Sequence, residues 1–164
     1  MLKVEELNEL DQSEFTSQLR PVFEHSPWIP ERAAAQRPFA DRDELYASLC
    51  QTVTQASADE KLALIRAHPD LVGRQLLTPE SKSEQAGAGL GHLSPDEIEL
   101  FQRYNAGYRE RFGFPFVICA RLNKKQAMLD AFPIRLQNSR EKEMETALQE
   151  IFKIAGFRLK DLVE

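Results

Sequence analysis

The stretch Ser94-Pro-Asp-Glu-Ile-Glu-Leu-Phe-Gln-Arg-Tyr-Asn-Ala-Gly-Tyr-Arg-Glu-Arg-Phe112 reads as a helix throughout. Ser94 is a helix-capping residue with Glu97 three positions later, a pair that satisfies amides otherwise left without partners, and Pro95 stands where a helix tolerates proline best. Ile98, Phe101, Tyr108 and Phe112 recur at spacings of three, seven and four, a helical period rather than a strand's period of two. Asn105 falls on the same apolar stripe, either as a structural hydrogen-bonding group or as a pocket group.

The same signals recur on both sides of this stretch. Asp11 with Glu14 opens a helix, with Leu10 and Phe15 as its hydrophobic staple. Ser57 with Glu60 opens another that runs through Leu62 and Ile65 to His68, where Pro69 stops it. Thr78-Pro79 starts a third, and Asp41 to Val53 carries a further helical pattern. The final helix, from about Ser139, places Met144, Leu148, Ile151 and Ala155 at spacings of four, three and four, and a further step of three lands on Arg158. An arginine on an apolar face needs a partner, in the core or in a ligand. Pro21 to Pro38 is turn-rich, with Ser26-Pro27-Trp28-Ile29-Pro30 read as an irregular segment packed under Trp28. With no convincing alternation anywhere, the expectation is an all-α fold of five to eight helices.

At 164 residues and 18.8 kDa the chain is long enough to bury a continuous core, and no repeat, low-complexity run or linker divides it. A single compact helical domain over residues 1–164 is expected. The content of 42% hydrophobic and 29% charged residues excludes a disordered or fibrous chain. A net charge of -5, with Lys124-Lys125 as the one adjacent basic pair and that pair read as a solvated loop, points away from nucleic acid. Cys50 and Cys119 lie far apart without metal-ligand spacing, which suggests neither a zinc site nor a disulfide framework. With no apolar run of membrane-spanning length, no basic-apolar leader and no Ser-Lys-Leu type ending, a soluble cytoplasmic protein is expected.

Three places carry groups capable of chemistry. Ser81, Glu84 and Gln85 project from one face of the third helix and run into Ala86-Gly-Ala-Gly-Leu90, small residues that permit close approach. A solvated polar face ending in a glycine cap accounts equally well for the spacing. His68 neighbours Leu64 and Ile65 at helical spacing, so it is expected to be partly buried, as a satisfied core histidine or as an acid-base group near neutrality. In Phe112-Gly-Phe-Pro-Phe116-Val-Ile-Cys119, Pro115 forces Phe114 towards extended geometry. Backbone amides there can hold ligand carbonyls while the aromatic rings close the core.

Taken together, Phe23-Glu-His-Ser-Pro-Trp28, His68-Pro-Asp-Leu71, Ser81-Lys-Ser-Glu-Gln85 with Ala88-Gly-Leu90, and Asn105 to Tyr108 leading into Arg111-Phe-Gly-Phe-Pro-Phe116 resemble the 2-oxo-4-hydroxy-4-carboxy-5-ureidoimidazoline (OHCU) decarboxylases in order and spacing. The resemblance runs from about Phe23 to Leu159 and takes in Arg135 to Asn138 and Lys153 to Arg158. It implies an all-helical homodimer, free of metal and organic cofactor, that converts a small urate-derived substrate to (S)-allantoin. By matching motif positions it implies His68 as proton donor with Glu84 beside it. It also implies contacts to substrate from Pro69, Ser81, Lys82, Ser83, Glu84, Gln85, the segment Phe116, Val117, Ile118, Cys119 and Ala120, and Arg158. After Ala120 the chain runs Arg-Leu-Asn-Lys-Lys, where many relatives carry a glycine-containing loop. A ureide or imidazolone hydrolase and a non-catalytic small-molecule-binding module are the competing readings of the same residues.

Overall fold

The structure is a computed structural model that describes residues 1–73 and 75–164. Nine α-helices form among the described residues: α1 (Val4–Glu9), α2 (Gln12–Leu19), α3 (Trp28–Ala33), α4 (Arg42–Thr54), α5 (Ala58–Arg66), α6 (Pro79–Gly87), α7 (Pro95–Phe112), α8 (Lys125–Arg135) and α9 (Arg140–Leu162). An isolated parallel bridge between Leu2 and Val163 is the extended pairing seen among them. The fold is all-α, as expected. The helix number exceeds the expected five to eight because α1 and α3 are six residues each, too short to display a period.

The helix starts follow the local chemistry. Asp11 and Asp41 accept the amides of Glu14 and Glu44, Thr78 accepts that of Ser81, and Ser57 with Glu60 and Ser94 with Glu97 form reciprocal capping boxes. Gly113 ends α7 at φ 80°, a left-handed conformation that glycine adopts without steric cost, and donates its amide to the Arg109 carbonyl.

Four local expectations need correcting. The segment read as irregular contains α3, because Pro30 sits in its first turn, where no intrahelical amide bond is needed. Trp28 itself is partly exposed under the Arg32 guanidinium, and Ile29, Pro30 and Ala33 are the buried residues of that helix. The helix read as reaching His68 ends at Arg66 with Ala67 as its cap, since Pro69 disfavours helical geometry in the residue before it. Lys124-Lys125 is the start of α8, with Lys124 donating to the Gly87 carbonyl and Lys125 paired with Glu97 at 2.9 Å.

Residues 1–67 and 152–164 form one compact unit and residues 68–151 another, α9 contributing to both. In the first unit α2 packs on α3 and α3 on α4 around Phe15, Leu19, Ile29, Leu45 and Leu49, none of which is exposed. The Arg37 guanidinium lies over the Phe15 ring and donates to the carbonyls of Ala34, Leu7 and Leu10, two of which end α1. In the second unit Tyr108, Phe112, Phe114, Phe116 and Phe132 form an aromatic core, with Phe116 and Phe132 stacked at 3.8 Å between centroids.

The expected stripe of α9 holds in its second half, where Ile151, Ala155 and Arg158 are buried, and fails in its first, where Met144 and Leu148 are partly exposed and Glu143, Ala147 and Glu150 are buried instead. Reading only apolar positions skips its two glutamates, each of which is hydrogen-bonded. In the first unit Arg158 is 3% exposed, 2.9 Å from Glu24 at 1%, and also donates to the Pro21 carbonyl. Removing one partner of such a pair strands a buried charge, so Glu24→Ala should cost about 3–5 kcal/mol in equilibrium urea unfolding. A cost below about 1 kcal/mol would show that water reaches the guanidinium.

Candidate functional site

The polar groups of the second unit gather around three pieces of chain: residues 68–72, α6 and the Phe116–Asn123 stretch. His68, two residues beyond the end of α5, is buried at 6% exposure. Pro69 beside it is partly exposed. On α6, Ser81 is buried, Glu84 and Gln85 are partly exposed, and Lys82 and Ser83 point to solvent. Helical geometry explains the split, because positions three and four after Ser81 share its face whereas the next two turn away.

Gln85 joins α6 to the histidine loop. Its Nε2 donates to the Asp70 carbonyl and its Oε1 accepts the Val72 amide, both at 3.3 Å. Glu84 joins α6 to the third piece through Arg121, 3.6 Å away. The turn Ala120–Leu122 packs directly on α6. Arg121 thus becomes a site neighbour that motif reading omitted, and its position just past the expected Phe116–Ala120 segment was the available signal.

Phe116, Val117, Ile118, Cys119 and Ala120 are all buried. The Cys119 and Ala120 carbonyls accept the Leu122 and Asn123 amides in the short turn that follows, and side chains hold further backbone groups of the stretch. Arg135 Nη1 donates to the Val117 carbonyl at 2.7 Å, Glu150 accepts the Cys119 amide at 3.1 Å, and Asn123 Nδ2 donates to the Cys119 carbonyl at 2.9 Å. The Cys119 amide is therefore engaged by the protein and not offered to a ligand, a correction to the expectation for that residue. Arg135, Glu150 and Asn123 went unseen in the site reading because they act on backbone, which leaves no side-chain spacing to detect.

Arg158 belongs to the other unit, where its guanidinium is committed to Glu24 and Pro21. Among the described residues no three of His, Cys, Asp and Glu converge as a metal-binding group. No helix among them is long and apolar enough to cross a membrane.

The thiols are poor nucleophiles near neutrality. Burial pushes Cys119 up, against hydrogen bonds from the Leu122 and Arg121 amides, and the carboxylates of Glu150 and Glu84 add to the rise. Burial likewise pushes Cys50 up to about 11, against a hydrogen bond with Tyr46. What the second unit offers a reaction is a buried imidazole, a hydroxyl, a carboxylate and an amide on two adjoining elements, which suits proton transfer to a small polar molecule.

An all-α protein with a buried histidine and a one-sided polar helix is thus a candidate for acid-base chemistry. The chain belongs to the OHCU decarboxylase family, whose model matches residues 8–160. It is 42% identical over 161 residues to a 2-oxo-4-hydroxy-4-carboxy-5-ureidoimidazoline decarboxylase of Halalkalicoccus jeotgali, covering 98% of this chain and 92% of that one. Among solved structures it resembles an (S)-allantoin synthase with a TM-score of 0.81 at 30% identity, covering 99% of this chain and 54% of that one. It also resembles an OHCU decarboxylase solved in the presence of (S)-allantoin, with a TM-score of 0.71 at 27% identity over 84% of this chain and 92% of that one.

The raised thiols give a pH-dependent expectation. Thiolate forms as pH rises, so labelling of the folded protein by an aromatic disulfide at pH 8 should be slow and accelerate about tenfold per pH unit. In denaturant both thiols should react at once, near the ordinary value of about 8.5. Immediate labelling of the folded chain would contradict the burial assigned to Cys119.

Proposed function

We propose that this protein decarboxylates 2-oxo-4-hydroxy-4-carboxy-5-ureidoimidazoline to (S)-allantoin in urate breakdown, with His68 as acid-base group, Glu84 as its partner, and no cofactor. The observation that carries the reading is the family match over residues 8–160, with 42% identity to a decarboxylase along nearly its whole length. That match runs through both compact units, which supports reading the chain as one functional domain. Burial of His68, and the tie from Gln85 on α6 to the loop that follows His68, support the site assignment.

The substrate carries its own electron sink. When the bond from the hydroxyl-bearing carbon to the carboxylate breaks, carbon dioxide leaves and the electron pair forms a double bond to the ureido-bearing carbon. The carbon-nitrogen π pair moves onto nitrogen, which takes up a proton. A proton is then added to the ureido-bearing carbon as the hydroxyl loses its own and becomes the ring carbonyl of allantoin. The protein must orient the carboxylate out of the ring plane, stabilise charge as it develops, and deliver the proton to one face.

In this reading His68 handles that proton and Glu84 sets its orientation. Ser81, Gln85 and backbone of the Phe116–Ala120 stretch other than the Cys119 amide hold the ureido and ring carbonyls. Pro69 walls the ring, and Lys82 and Ser83, whose side chains point to solvent, complete the Ser81–Gln85 segment that the resemblance sets against substrate. The family resemblance assigns Arg158 to binding or balancing charge, and its guanidinium is paired with Glu24. A homodimer, which rests on the family resemblance, and a cytoplasmic location are part of the same reading.

Circular dichroism of the product tests the reading. When urate is oxidised and its first product hydrolysed in the presence of this protein, an (S)-allantoin signal should grow rapidly, because spontaneous decay cannot choose a face. A racemic end point would reject the activity. His68→Ala should lose about 10²–10⁴-fold in turnover while remaining folded. A far smaller loss would remove His68 from the proton-transfer role.

A further inference from the structure

We propose that Asn105 and Arg109, one turn apart on α7, are positioning residues that clamp the strained loop behind His68 and thereby aim its imidazole. The inference rests on the reading of His68 as the acid-base group. It concerns residues on an element other than those carrying the expected substrate contacts.

Three consecutive loop residues are each held by a side chain. Arg109 Nε donates to both carboxylate oxygens of Asp70, at 3.0 and 3.2 Å. Asn105 Nδ2 donates to the Leu71 carbonyl at 2.7 Å. Gln85 on α6 accepts the Val72 amide and donates to the Asp70 carbonyl. The loop is therefore gripped from α7 and from α6.

The grip acts against a backbone that resists it. Val72 has φ 54°, in the left-handed region, where a β-branched side chain is a genuine outlier. Such a conformation persists only where surrounding contacts over-determine it, and it marks places where geometry serves function. Gly73 follows in a turn so tight that a Cβ there would stand 3.0 Å from Asp70 Cβ and 3.2 Å from its carbonyl.

Two further observations separate a clamp from ordinary packing. Asn105 is 7% exposed, and its Oδ1 is buried with no hydrogen-bond partner among the described residues. An apolar residue would fill that place at lower cost, so what the asparagine supplies is the amide donor to Leu71. The loop also borders a cleft of ≈ 590 Å³ lined in part by Asp70, Val72, Gly73, Asn105 and Arg109. With open space on that side, the hydrogen bonds of α7 must hold what packing does not.

The test measures kcat and KM separately through product circular dichroism, together with the ¹⁵N resonances of the His68 imidazole. Arg109 is substantially exposed, so Arg109→Ala should fold normally. It should lower kcat about tenfold with KM changed less than about threefold, as expected when an acid-base group is misaimed and binding is left intact. Asn105→Ala should lower kcat by about 10- to 100-fold. Arg109→Lys, which keeps a cation beside Asp70, should restore most of the activity. Val72→Gly in the Arg109→Ala background should also restore it, because glycine accepts this φ without a clamp.

Both clamp variants should move the His68 resonances, and both rescues should return them. Full kcat in Arg109→Ala, or a loss that neither rescue repairs, overturns the clamp; if Asn105→Ala fails to fold, the Arg109 series decides alone. The two readings fail separately. An active His68→Ala would reject the acid-base assignment, whereas unmoved His68 resonances in Arg109→Ala would reject the clamp whatever His68 does.

Discussion

Glu143 is a carboxylate with no solvent exposure, and the second unit is arranged around the cost of burying it. One oxygen accepts from Tyr108 at 2.6 Å and from Arg135 at 2.7 Å, and the other from Asn138 at 2.9 Å. The bonds join α9 to α7 and α8. Burial and the adjoining carboxylate push the Tyr108 hydroxyl up, so it stays a donor. Arg135 then reaches past Glu143 to the Val117 carbonyl while its guanidinium lies 4.1 Å over the Phe116 ring. A stretch of extended backbone thus takes its shape from a buried ionic cluster, and that stretch borders α6.

The same division of labour appears elsewhere in the unit. Helices supply rigid faces, but the segments expected to meet substrate are irregular, and side chains from neighbouring elements satisfy their backbone. Cys119 is held through Glu150 and Asn123, and Asp70 and Val72 through Gln85. Such bonds fix position at the cost of exact side-chain geometry, so a one-atom change in a supporting residue reaches the loop it supports.

Much of the helical framework was legible because it is written in local chemistry. Capping at Asp11, Ser57 and Ser94 depends on residues three apart, and of the stripe Ile98, Phe101, Tyr108 and Phe112 all but the partly exposed Ile98 are buried. What failed was non-local. The seam of α9 includes Glu143 and Glu150, whose burial depends on partners that no period reveals. Of the candidate site, Ser81, Glu84 and Gln85 showed their common face, and the resemblance picked out His68 and Phe116–Ala120. Asn105 showed as a polar residue on an apolar stripe, whereas Arg121 and Arg109 acquire meaning only when the fold sets them against Glu84 and Asp70.

The chain's arginines deserve to be separated from its charge. Arg37 covers Phe15 while feeding three carbonyls, Arg135 covers Phe116 while bonding Glu143 and Val117, and Arg140 lies over Phe114 while donating to the Phe112 carbonyl. Each uses the flat face and the forked edge of a guanidinium together, which an ammonium cannot do. A chain recoded with lysine at every arginine would keep its net charge of -5 and much of its helix propensity. It would nonetheless lose the planar joints between its rings and its loops. In this protein the cations work as fasteners whose shape matters more than their sign.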